Sequence, residues 1–326
     1  MVEYPDTTHP DSAFDARPRV RNSGLNILPE NPDKQAKGRF PAWLHRKLPS
    51  SGEFFNTNAL VHETGLNTVC EEAKCPNRLE CYSKKTATFL VLGKECTRNC
   101  GFCDIDFSKT PKAPAADEPA RVAESTKRLG LRHVVITMVA RDDLPDGGAA
   151  HLVEIIRVTR RENPGITVEL LTSDFAGNFE ALDLVLAEEP EIFNYNVETV
   201  RALTPKVRHK ATYDRTLQVL AHVKQSGRAQ FVKSGMMLGF GETHEQVHET
   251  IRDLHAVGCD IITIGQYLQA SRSKLLVKEF VTPEQFKAYE AYGYEVGVPH
   301  IYAGPFVRSS YNASLVKDLV VKGASK

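Results

Sequence analysis

The sequence lacks an excess of either charge, and it lacks an apolar run long enough to cross a membrane. Lys plus Arg and Asp plus Glu both number 41 among 326 residues, so the formal net charge is zero. A balanced chain has no overall electrostatic attraction for nucleic acid. The longest apolar runs, HVVITMVA and IITIG, have only the length of a strand. Neither nucleic acid nor a membrane is therefore expected as a partner.

The amino-terminal segment lacks the apolar stretch of a secretory signal. Its first twenty residues are polar and contain Pro5, Pro10 and Pro18, which predicts an extended arm and a cytoplasmic protein. Thiols stay reduced in the cytoplasm. Because six of the seven cysteines lie between residues 70 and 103, they indicate metal binding rather than disulfides.

From residue 86 onward, short apolar segments alternate with longer amphipathic ones. Strands are predicted at 87–92, 133–140, 167–172, 192–198, 231–238 and 260–267. Helices are predicted near 118–129, 148–162, 178–188, 213–226, 243–257 and 283–292. In the fifth helix, Val247, Ile251, Leu254 and Val257 recur at helical spacing. Strands that are apolar on both faces and alternate with helices form a parallel sheet.

This alternation predicts an α/β fold, specifically a partial (β/α)6 barrel that follows a cysteine-rich amino-terminal extension. Six units are too few for the usual closed eight-stranded barrel, and a doubly wound open sheet is the alternative. The expected boundaries are 1–40 for the arm, 41–85 for the extension, 86–300 for the barrel and 301–326 for a tail. In either arrangement, reactive groups belong beyond the carboxyl ends of the strands.

The segment GKECTRNCGFCDID places three cysteines just after the first predicted strand. Cys96, Cys100 and Cys103 have C-x3-C-x2-C spacing. Three thiolates on a tight loop can hold three irons of a 4Fe–4S cluster and leave the fourth iron open for chemistry. A structural zinc site with a distant fourth ligand is the alternative. The position on the first loop of a parallel array favours the reactive cluster.

With this motif the chain resembles the radical S-adenosylmethionine superfamily. The resemblance implies that the amino and carboxylate groups of S-adenosylmethionine chelate the open iron. It also implies that an electron from the reduced cluster cleaves the sulfonium and releases a 5′-deoxyadenosyl radical. The segment GMMLGFGE is similar to the superfamily's glycine-rich motif, which makes Gly239 and Glu242 cofactor contacts. Without the resemblance, these residues make a turn before a helix.

Strand ends supply the other S-adenosylmethionine contacts that the resemblance implies. Asn196 and Glu198, in YNVET, are expected to bind the ribose hydroxyls. Many members carry Gly-Gly-Glu after the second strand for the methionine amino group, but this chain has TMVARDDLPDGGA there. Thr137 and Arg141 are the candidates in that segment. Its DLPDGG is equally consistent with a turn and a helix start.

The first cysteine group in chain order lies in CEEAKCPNRLEC, and the C-x3-C-x2-C motif is the second. Cys70, Cys75 and Cys81 are five and six residues apart, which does not match one face of a helix. A loop or a broken helix around a metal centre is therefore expected. On spacing alone, structural zinc and a second iron–sulfur cluster are both open.

Together with the carboxyl-terminal RSSYNA, the two cysteine groups resemble the lipoyl synthase family over about residues 40–315. The resemblance implies insertion of two sulfur atoms into an octanoyl chain on a lysine of a lipoyl carrier protein. Such carriers are the lipoyl domains of 2-oxoacid dehydrogenases and the glycine cleavage H protein. The cofactors implied are S-adenosylmethionine and two 4Fe–4S clusters, one consumed as the sulfur source. A low-potential donor such as ferredoxin or flavodoxin is the expected electron source.

The same resemblance implies that Ser310, in RSSY, is the fourth ligand of the auxiliary cluster held by Cys70, Cys75 and Cys81, and that the tail closes the barrel mouth. A serine oxygen matches iron less well than a thiolate does. His62 and His300 are less favoured ligands, and Cys259 is expected to be a small buried hydrophobe before the sixth strand. A biotin-synthase-like sulfur-inserting enzyme and a non-enzymatic zinc-binding protein are the alternative functions.

Overall fold

The structure, a computed structural model, describes residues 40–45 and 52–310. The predicted arm, apart from Phe40, and the tail beyond Ser310 lie outside the described residues. The strands are β1 Asn67–Thr68, β2 Thr88–Val91, β3 Glu95–Cys96, β4 Asp106–Phe107, β5 His133–Met138, β6 Thr167–Leu171, β7 Ile192–Asn194, β8 Phe231–Leu238, β9 Ile261–Gln266 and β10 His300–Gly304. The α-helices are α1 Glu53–Glu63, α2 Val69–Glu72, α3 Arg78–Ser83, α4 Glu118–Arg128, α5 Ala149–Glu162, α6 Phe179–Leu186, α7 Thr204–Val207, α8 Tyr213–Ser226, α9 His244–Ala256 and α10 Pro283–Glu295.

One eight-stranded sheet forms the frame, in the order β1-β2-β5-β6-β7-β8-β9-β10. All strands from β2 to β10 in this order are parallel to their neighbours. β1 pairs antiparallel with β2 and covers its outer edge. A doubly wound sheet requires a reversal of strand order, and the observed order has none. The fold is therefore the predicted partial barrel, in which the described strands β2 and β10 do not pair with each other.

The six predicted strands and the six predicted helices are confirmed as β2, β5 to β9 and α4, α5, α6, α8, α9 and α10, respectively. The fourth strand is shorter than predicted because β7 ends at Asn194, although Glu198 still forms a bridge to Met236 of β8. β10 was not predicted. Its sequence, HIYAG, has few large apolar residues, and it is held as a strand by pairing with β9.

The main core lies between the sheet and its helices. In α9 the predicted stripe faces inward, with Val247, Ile251 and Leu254 fully buried. The helix begins at Thr243, whose side chain and that of Gln246 form a reciprocal capping box. Each of the buried side chains Val247, Ile251 and Leu254 contributes roughly 1.5–3 kcal/mol by leaving water. Within the described residues, no helix has the length and apolar character needed to cross a bilayer.

A smaller apolar cluster covers the carboxyl ends of the strands. It contains Phe240, Tyr267 and Phe280, with Phe102 and Phe306 packed against them. Phe102 belongs to the second cysteine motif, and Phe306 follows β10. This end of the barrel, called the mouth below, therefore gathers segments from both halves of the chain.

Candidate functional site

The loop that carries Cys96, Cys100 and Cys103 follows β2 and lies at the mouth. Its backbone is tied to two other loops and to the end of helix α7. The Thr97 N–H donates to the Ala140 carbonyl at 3.0 Å, after β5, and the Gly101 N–H donates to the Val207 carbonyl at 2.9 Å. The Gly101 carbonyl accepts from the Leu275 N–H at 2.9 Å, after β9. These bonds fix the cysteine loop across the mouth.

The three thiols of this loop lie close enough to influence one another. Burial raises the pKa of Cys103 to about 12, and nearby Cys100 and Cys96 raise it further. The Cys100 sulfur accepts the His209 N–H at 3.4 Å, and the Cys96 sulfur accepts the Arg98 N–H at 3.4 Å. In the described part of the chain, no three His, Cys, Asp or Glu side chains are grouped to hold a single metal ion. Three thiols near one another fit an iron–sulfur cluster, whose positive iron stabilises thiolates.

A buried network of ion pairs also holds the cysteine loop, through the side chain of Arg98. The guanidinium of Arg98 pairs with Asp142, which follows β5, and with Asp174, which follows β6. Arg215 of α8 also pairs with Asp174, at 3.2 Å. Burial opposes ionisation of Asp174, but Arg98 and Arg215 outweigh it and lower its pKa. The sequence reasoning missed this network, although an arginine inside the cysteine motif and aspartates just after two predicted strands were its signal.

Asn196 and Glu198, the predicted ribose contacts, lie together after β7. Glu198 has a left-handed backbone with φ of 66°. The Glu198 N–H donates to the Gly235 carbonyl, and the Glu198 carbonyl accepts the Met237 N–H, both at 2.9 Å. The Asn196 amide donates to the Glu198 carboxylate at 3.1 Å, while the Asn196 Oδ1 is buried without a partner among the described residues. A carboxylate beside an unpaired acceptor suits a ligand with neighbouring hydroxyl donors.

The charge of Glu198 is set by its surroundings. Burial raises the pKa of Glu198, and this is opposed by the Arg208 guanidinium, the Asn196 amide and Arg308. Arg208 is held by the Tyr195 hydroxyl at 2.8 Å. Glu198 also raises the pKa values of Cys100 and Cys103. The predicted ribose site and the cysteine loop are therefore neighbours.

The turn after β8 is built around Gly239 and Glu242. Gly239 has φ of 112°, and a Cβ there would lie 2.4 Å from the Gln266 side chain and 2.6 Å from the Glu279 carbonyl. The Glu242 carboxylate accepts the N–H groups of Gly239 and Phe240. Glu242 therefore holds the turn, and its contact to a cofactor stays a prediction.

Thr137 and Arg141 are both engaged within the protein. The Thr137 hydroxyl donates to the Leu171 carbonyl at 3.0 Å. Arg141 is buried, pairs with Asp143 at 2.8 and 2.7 Å, and donates to the Leu92 carbonyl at 3.1 Å. The structure gives Arg141 the task of joining the loops after β2 and β5. Its predicted contact to the methionine amino group has no support from these partners.

The first cysteine group forms the predicted broken helix. Cys70 lies in α2, Cys81 lies in α3, and Cys75 lies in the turn between them, where the left-handed residue Lys74 reverses the chain. Burial raises the pKa of Cys70 to about 12, and the nearby thiols of Cys75 and Cys81 add to this effect. These three thiols are also a donor set that suits iron.

The carboxyl-terminal segment 305–310 folds back into the mouth and contacts both regions. The Asn77 amide, beside the first cysteine group, donates to the Phe306 carbonyl at 2.7 Å. The Asn196 amide donates to Ser309 at 2.8 Å. Gly265 of β9 makes room for the segment, since a Cβ there would lie 2.1 Å from the Val307 carbonyl. Ser310 is half-buried at the end of this segment.

The predicted residues thus divide into two groups. The structure brings both cysteine groups, Asn196, Glu198 and residues 308–310 of RSSY to one end of the barrel. Cys259 precedes β9 at the opposite end and is buried, as expected, so that burial raises its pKa. Asn77, which donates to the tail, and Gly265, which leaves room for it, were both missed by sequence reasoning. Their partners lie far away in the chain, so only the fold identifies them.

Comparison with known proteins adds independent findings. The pattern of the Radical SAM superfamily matches residues 90–254. A lipoyl synthase of Protochlamydia amoebophila is 61% identical over 306 residues, which cover 92% of this chain and 94% of that protein. A lipoyl synthase of Chlamydia trachomatis is 52% identical over 285 residues, covering 87% and 91%, respectively. The crystal structure of Streptococcus suis SuiB bound to S-adenosylmethionine is similar in fold, with a TM-score of 0.52 and 13% identity over 70% of this chain and 54% of that one.

Proposed function

Because the chain belongs to the lipoyl synthase family of the radical S-adenosylmethionine superfamily, we propose that it inserts two sulfur atoms into a protein-bound octanoyl chain. The 61% identity over nearly the whole chain carries this proposal. The substrate is an octanoylated lipoyl carrier protein. When bound, S-adenosylmethionine and two 4Fe–4S clusters supply the organic radical and the sulfur that this reaction needs.

Each cysteine group has a separate task in this proposal. Cys96, Cys100 and Cys103 hold the cluster that works with S-adenosylmethionine. The other triad, at Cys70 to Cys81, holds the auxiliary cluster with Ser310 as its fourth ligand. The Asn77 contact to Phe306 supports this assignment, because it draws the RSSY segment toward the first cysteine group.

Asn196, Glu198 and Gly239 form the proposed site for the adenosyl part of S-adenosylmethionine. The unpaired Asn196 Oδ1 and the Glu198 carboxylate are acceptors for the ribose hydroxyls. Gly239 maintains the backbone turn that borders this site, because a Cβ there would overlap the Gln266 side chain and the Glu279 carbonyl. Glu242 and Arg141 act here by shaping the loops around the site, because their hydrogen bonds are made within the protein.

The carboxyl-terminal segment excludes water from the site in this proposal. Cleavage of an unactivated C–H bond requires a radical, since the bond has no acidic proton and no leaving group. A closed site protects such a reaction from side reactions with solvent. Val307 lies against Gly265 at the mouth, so the segment covers this part of it.

We further propose a cytoplasmic location and a low-potential electron donor such as ferredoxin or flavodoxin. The seven cysteines are free thiols, which suits a reducing compartment. The zero net charge supports the absence of nucleic acid and membrane partners.

The proposed function is tested by incubating the anaerobically reconstituted protein with an octanoylated carrier domain, S-adenosylmethionine and a reductant. Mass spectrometry should detect a monothiolated carrier and then the lipoyl product. The variant Cys70→Ala/Cys75→Ala/Cys81→Ala should still cleave S-adenosylmethionine but insert no sulfur. The variant Cys96→Ala/Cys100→Ala/Cys103→Ala should cleave none. Sulfur transfer to free dethiobiotin alone, or bound zinc without iron, would contradict the proposal.

A further inference from the structure

The arginine inside the second cysteine motif is one of the most fully engaged side chains at the mouth. Arg98 lies between Cys96 and Cys100, and its side chain is 6% exposed. Its Nε donates to both oxygens of Asp142, at 3.2 and 3.0 Å. Its Nη2 donates to Asp142 at 2.7 Å and to Asp174 at 2.6 Å. One guanidinium therefore spans the ends of β5 and β6.

The two aspartates are themselves fixed. Asp174 is fully buried, and its remaining contacts are the Ala176 N–H at 3.0 Å and Arg215 at 3.2 Å. It anchors a turn in which Phe175 and Ala176 both have positive φ, of 46° and 55°. Such a backbone persists only where its surroundings determine it strongly. The carboxylate that holds Arg98 is thus set in a rigid frame.

The backbone beside Arg98 repeats the connection to β5. The Thr97 N–H and hydroxyl both donate to the Ala140 carbonyl, at 3.0 and 2.9 Å. The Thr97 hydroxyl in turn accepts the Asp142 N–H at 3.0 Å. Residues 97–98 are therefore bound to residues 140–142 by hydrogen bonds from both backbone and side-chain atoms.

We propose that Arg98 is a positioning residue that sets the orientation of the cysteine loop, and hence of its cluster, relative to the S-adenosylmethionine site. This inference rests on the proposed function. The planar guanidinium gives two fixed directions of contact, to Asp142 and to Asp174. A lysine keeps the charge but offers a single flexible ammonium and cannot hold both carboxylates in this geometry. The Arg98 side chain bonds Asp142 and Asp174, so it acts through the cysteine loop that it anchors.

The test compares Arg98→Lys with Arg128→Lys, a matched change in the exposed pair between Arg128 and Glu63. Iron content, the electron paramagnetic resonance spectrum of the reduced cluster with and without S-adenosylmethionine, and the KM for S-adenosylmethionine are measured. Arg98→Lys should retain iron, lose most of the spectral change that S-adenosylmethionine causes, and raise this KM at least tenfold. Arg128→Lys should match the wild type. Equal spectra and equal KM for the two variants would overturn the proposal.

A second variant covers the case in which Arg98→Lys loses iron. Asp142→Asn keeps the contact between Arg98 and Asp174 and weakens only the contact between Arg98 and residue 142. It should therefore show the same spectral and KM changes at full iron content. A wild-type response from Asp142→Asn would then overturn the proposal. The double variant Arg98→Lys/Asp142→Asn should raise the KM no further than Arg98→Lys does, because both changes weaken the same contact, that between residues 98 and 142. A wild-type protein that cleaves S-adenosylmethionine but leaves the octanoyl chain unchanged would contradict the proposed function and leave this test intact.

Discussion

Glu198 has two features that a solvated loop glutamate does not need. Its backbone is left-handed, which is uncommon for any residue other than glycine, and its carboxyl group is buried enough to raise its pKa. Backbone bonds to β8 on both sides hold it in this conformation. The cost of this arrangement is offset by the rest of the barrel, which is the usual situation of a binding residue.

The first prediction concerns this pair of acceptors. Glu198→Gln should raise the KM for S-adenosylmethionine by about tenfold or more, because a hydrogen bond to a charged group contributes about 1.5–3 kcal/mol and 1.4 kcal/mol is tenfold. Asn196→Ala removes a neutral acceptor, which contributes about 0.5–1.5 kcal/mol, and should raise this KM by about two- to tenfold. Steady-state cleavage assays at varied S-adenosylmethionine concentration measure this change. Gln225→Ala, an exposed change near the end of α8 that leads into β8, is the control. An unchanged KM in both variants would remove these residues from the proposed site.

The second prediction concerns Gly265. Its backbone conformation allows alanine, but a Cβ would overlap the Val307 carbonyl at 2.1 Å. Gly265→Ala should therefore displace the segment 305–310 and reduce the iron retained by the auxiliary site, with a stability cost of about 1–3 kcal/mol. Iron content and thermal unfolding are the measurements. Gly52→Ala, where a Cβ meets nothing within 4 Å, is the control, and equal iron retention would contradict the prediction.

At the scale of the elements, local signals predicted the helices well. α8 has the predicted bounds, 213–226, because Thr212 caps its start and Gly227 ends it in a left-handed conformation. The strand β10 escaped prediction because HIYAG carries no pattern of its own and depends on pairing with β9. The motif spacing likewise indicated both thiol sets. The spacing did not predict the contact between Arg98 and Asp174, because these residues are 76 positions apart and only the fold brings them together.

The third prediction concerns the hydrogen bond that connects the first cysteine group to the tail. Asn77→Ala removes the hydrogen bond to the Phe306 carbonyl, a change of about 1 kcal/mol. Amides of residues 304–310 should exchange with solvent several-fold faster, while those of β5 and β6 keep their protection. Hydrogen exchange followed by mass spectrometry measures both regions. Unchanged exchange in 304–310 would show that Asn77 does not hold the tail.

At the scale of the whole molecule, a buried ionic group lies inside the barrel. Lys233 of β8 and Glu169 of β6 pair at 2.8 Å with both side chains almost inaccessible, and His133 lies 3.4 Å from the same carboxylate. A buried pair gives weak net stabilisation, but loss of one partner leaves a charge uncompensated. The pair therefore makes the barrel sensitive to any change on one side only.

The fourth prediction follows from this sensitivity. Lys233→Met should destabilise the protein by about 3–5 kcal/mol, whereas Lys233→Met/Glu169→Leu should cost much less, because the Glu169 carboxylate is then not left buried without Lys233. Denaturant unfolding at pH 7 measures both. A double variant as unstable as the single one would contradict this account.

The fifth prediction concerns acid. Burial opposes ionisation of Glu169, but Lys233 and His133 outweigh it and lower its pKa from 4.5 to about 2. Its contribution to the free energy of unfolding is complete above about pH 4.5 and is lost as the pH falls toward 2. The wild type should lose stability over this range more steeply than Lys233→Met/Glu169→Leu does. Parallel stability curves for the two proteins would contradict the prediction.

The contact between Asn77 and Phe306 joins residues 229 positions apart, and this has a consequence for synthesis on the ribosome. At 5–20 residues per second, the tail emerges on the order of 10–50 s after the first cysteine group. During that interval the nascent chain already exposes six thiols with no tail to cover them. Iron delivered in that interval would meet the first cysteine group before the proposed fourth ligand, Ser310, has been synthesised. A message broken before codon 306 yields a chain that can never close its auxiliary site.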